Sequence, residues 1–98
     1  MLNKTPKIVS KKIRQSAKGE SCTLRIPNVC NGNAETTVFA HLNTRFKGTG
    51  NKSPDIFGVY ACSDCHSALD SNLVNKEDQL RALTETQMKL YIKGLIKI

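Results

Sequence analysis

Apolar residues in the opening stretch, MLNKTPKIVSKKIRQSAKG, are scattered among lysines between Pro6 and a closing Gly19. A helical turn is expected only near Lys11 to Ala17, and the first ten residues are expected to be mobile. From Ser21 to Asn33 the text SCTLRIPNVCNGN, with Pro27 and an Asn-Gly-Asn cluster, reads as a turn-rich knuckle. Thr36 to Leu42 (TTVFAHL) is β-branched and aromatic between turn residues and predicts a strand. Ile56 to Ala61 (IFGVYA) predicts a second. Between them Asn43 to Asp55 is a polar loop with Gly48, Gly50 and Pro54, so the two strands are expected to pair as a hairpin.

Cys62 to Leu73 predicts a helix, with Ser63 as N-cap and Asp64 near the positive end of the dipole. Beyond it, Asn75 caps a short helix through Leu83. Thr84 with Gln87 forms a capping box for another helix, which carries Met88, Tyr91 and Ile92 on one core-facing side and stops at Gly94.

Length and composition narrow the class. Ninety-eight residues leave room for one domain, and Leu, Ile, Val and Phe make up only 24 of them, a thin core for which a staple is expected. No apolar run has the length of a signal peptide's core or a membrane span. The net charge of +7 is concentrated in residues 1–20, where Lys4, Lys7, Lys11, Lys12, Arg14 and Lys18 face only Glu20. A basic arm (1–19) on a nearly neutral body (20–98) is the electrostatic footprint of a nucleic-acid partner, with Lys11, Lys12 and Arg14 as contacts. A merely solubilising, solvated terminus has the same composition.

The staple is written in the cysteines. Cys22-x7-Cys30 precedes the predicted hairpin and Cys62-x2-Cys65 follows it. Four thiolates around a tetrahedral ion make a closed structural zinc site, although iron can occupy the same ligands. The alternative is two disulfides, which the absence of an export signal disfavours, so the chain is expected to be cytoplasmic and its thiols reduced. Knuckle, hairpin and helix, with the last pair at the helix start, form a treble-clef arrangement of α+β class.

A second constellation has catalytic chemistry. His41 ends the first strand, while His66 and Asp70 are four residues apart on one helix face, about a quarter turn from the cysteine direction. If the strand packs against that helix, His41 faces a cation held by His66 and Asp70. Such a trio suits phosphodiester hydrolysis: a divalent cation such as Mg2+ polarises the phosphate, and an imidazole deprotonates water. Arg45, Lys47 and Lys52 in the strand-connecting loop suit phosphate contacts. The plain readings are a half-buried strand histidine, a structural or zinc-ligating His66 and an exposed helix acid.

The strand segment AHL, the glycine-containing loop and ACSDCHSALD resemble the HNH, or ββα-metal, nucleases. More closely, AKGESCTLRIPNVCNGNAETTVFAHL, KGTGNKSPD and YACSDCHSALD resemble the small YbcO-type family of phages and prophages, over about residues 17–70. The resemblance implies His41 as base, His66 as metal ligand and Asp70 as a second helix ligand, in a bacterial host cell. Ala40 stands where many HNH enzymes have a further ligand, and Phe57 about where they have a loop-bracing Asn. The bracing role then falls to Asp55 or Asn51. Three functions follow: a metal-dependent DNA endonuclease, for which two nicks on a duplex favour a homodimer; a noncatalytic zinc-stabilised nucleic-acid-binding module; and a zinc-stapled adaptor in a phage assembly.

Overall fold

A computed structural model describes residues 10–42 and 55–96. The expectations for residues 1–9 and for the loop residues Arg45, Lys47, Asn51 and Lys52 fall outside the described residues. In chain order come α1 (Lys11–Gln15), a 3-10 turn (Ala34–Thr36), β1 (Val38–His41), β2 (Gly58–Ala61), α2 (Ser63–Asp70) and α3 (Lys76–Ile92). Among the described residues the fold is a small α+β arrangement with one two-stranded sheet.

β1 and β2 are antiparallel, with Val38 opposite Ala61, Phe39 opposite Tyr60, Ala40 opposite Val59 and His41 opposite Gly58. A lone two-stranded ribbon is marginal in water, so both of its faces must be covered. Ala40, Leu42, Val59 and Ala61 pack with Cys22, Leu24, Cys65, Ala68 and Leu69, which places the knuckle and α2 on one side. Phe39 and Tyr60 pack with Ile13, Ala17 and Leu90, which places α1 and the end of α3 on the other. The basic segment is thus built into the fold from Ser10 onward: Ile13 and Ala17 are buried, and Ser16 Oγ lies 2.7 Å from the buried Tyr60 hydroxyl.

Four local expectations are corrected. β1 begins two residues late because Asn33 caps the 3-10 turn, its side chain accepting from the Glu35 N–H at 3.0 Å. The N-cap of α2 is Cys62, whose Sγ accepts from the Cys65 N–H, and not Ser63. Asn75 does cap a helix, but that helix runs unbroken to Ile92. The expected capping box at Thr84 is used otherwise: the Thr84 hydroxyl donates back to the Arg81 carbonyl at 2.8 Å, and Gln87 Nε2 reaches the Ile56 carbonyl at 2.7 Å. Met88, Tyr91 and Ile92 are exposed, and α3 buries Ala82, Thr86 and Leu90 instead. Gly94, at φ 75°, ends the chain's last helix as expected, with the Leu95 N–H returning to the Leu90 carbonyl.

Gly58 sits directly beneath the Phe39 ring, where an added Cβ would overlap ring carbons. Phe39 in turn packs edge-on against His41 and Tyr60, with centroids 5.3 and 6.2 Å away. Gly58→Ala is therefore expected to destabilise the fold by about 1–3 kcal/mol through overpacking. A denaturant melt measures it. Unchanged stability would mean that the ring moves aside freely.

Candidate functional site

The four cysteine sulfurs converge to within 4.8 Å of one another, two from the knuckle and two from the start of α2. All four are free thiols, and the Sγ atoms of Cys30 and Cys62 are 3.9 Å apart, far beyond the ~2.05 Å of a disulfide. Backbone amides point at the sulfurs: Arg25 N–H at Cys22 and Cys65 N–H at Cys62, both at 3.4 Å. The backbone of Gly32, Asn31 and Ile26 also favours the thiolates of Cys30, Cys62 and Cys65. The chain turns sharply to do so, with Arg25 at φ 44° and Asn28 at φ 64°.

Burial raises the Cys62 thiol, but its amide donors outweigh burial and bring it down to about 7. Burial pushes the thiols of Cys30 and Cys65 up, and neighbouring sulfurs add to the effect. Four such groups cannot ionise together without a cation between them. A dication such as zinc removes that penalty, and the amide donors then disperse the charge of the thiolates, so the donor set fits this metal. Among the described residues these cysteines are the only group of three or more Cys, His, Asp or Glu ligands gathered this closely.

Braces from α3 hold the knuckle, and sequence reading missed them. Arg81 donates to the carbonyls of Thr23 and Leu24 at 2.7 and 2.6 Å, and Glu85 receives Arg25 in a two-point pair at 2.7 Å. The Thr23 and Thr86 hydroxyls meet at 3.0 Å in the core. Partners separated by 57 to 63 residues leave no local signature.

His41 emerges from the end of β1 on the same face as Phe39, opposite Ala40 and Leu42, which meet α2. Its Nε2 lies 2.6 Å from Asp55 Oδ1. The other oxygen of Asp55 receives the Ser10 N–H at 2.5 Å and stands 3.3 Å from Arg14 Nε. Burial favours the neutral Asp55 carboxyl, but the bonds from His41 and Ser10 and the charge of Arg14 outweigh it and hold the group below its ordinary value. A carboxylate at Nε2 fixes the proton there and leaves Nδ1 with its lone pair free in the neutral ring. Of the two bracing candidates, Asp55 therefore contacts His41, and Asn51 lies outside the described residues.

His66 and Asp70 face each other across one turn of α2, Nε2 to Oδ2 3.3 Å, both substantially exposed. The histidines thus form two pairs with separate carboxylates, and His41, His66 and Asp70 do not form one close ligand group as they stand. Lys11, Lys12 and Arg14 are exposed on α1, and Arg14 stands beside Asp55.

The model of the family described as "Putative nuclease YbcO" matches residues 11–93, nearly all of the described chain. The chain belongs to the YbcO family. Two YbcO relatives, from Escherichia coli (strain K12) and Enterobacteria phage 82, are each 42% identical over 92 residues, covering 87% of this chain and 96% of theirs. Both carry the description "Putative nuclease YbcO". A solved structure described as a "putative bacteriophage protein" from Escherichia coli superposes with a TM-score of 0.67 at 35% identity, covering 85% of this chain and all of that one. No helix among the described residues is long and apolar enough to cross a membrane.

Proposed function

We propose that this chain is a metal-dependent endonuclease of HNH type, encoded by phage or prophage, that hydrolyses phosphodiester bonds of DNA in the bacterial cytoplasm. Its scaffold is a treble clef in which Cys22, Cys30, Cys62 and Cys65 hold a structural zinc. The observation that carries the reading is the His41–Asp55 pair, an imidazole at a strand end backed by a buried carboxylate. With Nε2 committed to Asp55, His41 takes a proton from the attacking water through Nδ1. His66 and Asp70 would hold a divalent cation, which when bound offsets charge on the phosphate and on the leaving oxygen. The description of the YbcO relatives as nucleases supports the same reading. Plasmid nicking with Mg2+, Mn2+ or Ni2+, native chain against His41→Ala, tests it; native chain without nicking activity refutes it.

The noncatalytic alternative, a zinc-stabilised nucleic-acid-binding module, is favoured by one observation. The ligand atoms of His41, His66 and Asp70 are not drawn together as those of the cysteines are. Both readings predict electrostatic binding. Lys11 and Lys12 are exposed and make no ion pair among the described residues, so each is free to neutralise a phosphate. Replacing both with alanine is expected to reduce the slope of log affinity against log salt by about 1.8, at ~0.9 per phosphate contact. Titrations between ~50 and ~200 mM salt measure it. An unchanged slope excludes these lysines from the interface.

A further inference from the structure

We infer that Arg14, on the N-terminal helix, is a positioning residue for His41 and acts through Asp55; this rests on the nuclease reading. The Asp55 carboxylate is divided between two elements. Oδ1 takes His41 from β1, whereas Oδ2 takes the Ser10 N–H and stands beside Arg14 Nε, both from α1. A carboxylate can turn about its last bond, and a single partner does not stop it. Donors on both oxygens fix the plane of the group, and the Arg14 charge beside Oδ2 keeps it ionised, so that it accepts from the imidazole Nε2–H and does not donate to the ring.

The position of Arg14 is itself determined by packing. Ile13, its neighbour, is buried against Tyr60 and Leu90, and the Ile13 N–H is capped by Ser10 Oγ at 3.2 Å. Ser16, two residues on, is tied to Tyr60. Tyr60 pairs with Phe39 across the hairpin, and Phe39 stacks edge-on against His41. The helix that carries the exposed basic residues and the strand that carries the base are therefore joined both by a core cluster and by one carboxylate. Arg14 makes no other ion pair among the described residues, and its side chain is 44% exposed. Alanine in its place removes the carboxylate contact without opening the core.

The test uses the zinc-loaded full chain labelled with 15N at histidine. In the native protein the His41 ring is expected to show one tautomer, protonated at Nε2. Arg14→Ala is expected to shift its two ring nitrogens toward a mixture of tautomers, and Arg14→Lys to restore most of the native pattern. In nicking assays Arg14→Ala should lower kcat about tenfold, in the range found when a residue orienting a functional histidine is lost, with KM within about twofold of native. A His41 spectrum and kcat unchanged in Arg14→Ala, with only KM and salt dependence altered, overturn the inference and make Arg14 an ordinary phosphate contact. If the native chain nicks no DNA, the nuclease reading fails, while the spectra still show whether Arg14 orients His41.

Discussion

Replacing Cys65 with serine, or withdrawing the metal with a strong chelator, is expected to abolish cooperative folding. The binding free energy of a structural zinc site is of order ~10 kcal/mol, as large as the whole stability of an ordinary small domain. Here the site occupies the middle of the first core cluster: Cys62 and Cys65 are fully buried among Leu24, Val59, Ala61 and Ala82. Deprived of a cation, these sulfurs return as four crowded thiols, and α2 loses the anchor at its first turn. Mass spectrometry under native conditions should find one zinc per chain, and circular dichroism with chelator should show loss of the melting transition. A chain that melts normally in chelator, or that carries two disulfides, contradicts the site.

His41→Ala should eliminate nicking, a loss of about 10²- to 10⁴-fold for a general base, while zinc content and melting temperature stay near native. The separation is built into the fold: His41 lies on the sheet face away from the cysteine cluster, only partly exposed, and touches Asp55 and Phe39. His66→Ala and Asp70→Ala act at the exposed end of α2 and should weaken a catalytic cation instead. Raising the divalent ion concentration should then partly rescue Asp70→Ala but never His41→Ala. Loss of zinc from His66→Ala would assign that residue to the structural site, and rescue of His41→Ala by metal would remove it from the role of base.

What was legible in the sequence was whatever depends on near neighbours or on cysteine spacing. The hairpin, α2, the Asn75 cap, the Gly94 stop and the four-sulfur cluster all belong here. The face of α3 did not. Met88, Tyr91 and Ile92 form the side expected to face the core, yet it is the Ala82, Thr86 and Leu90 side that is buried. Thr86 enters the core because Thr23 and the Tyr60 N–H meet its hydroxyl, so a polar residue satisfies the interior at a position the hydrophobic pattern passes over. The role of Asp55 was open for the related reason that its partners, Ser10 and His41, lie 45 and 14 residues away. Chemistry singled out His41; only the folded chain supplied what holds it.

The clamp of Arg81 on the carbonyls of Thr23 and Leu24 also sets an order of events during synthesis. All four cysteines precede α3 in the chain, so a growing polypeptide presents its complete set of thiols before the helix that shapes the first knuckle has been made. An ion captured at that stage would be held by the compact Cys62 and Cys65 turn, with Cys22 and Cys30 still on a long, costly loop. Closure of the first knuckle awaits the residue-81 turn of α3. A message cut short before α3 therefore yields a chain that has all four cysteines but not the Arg81 clamp on the first knuckle.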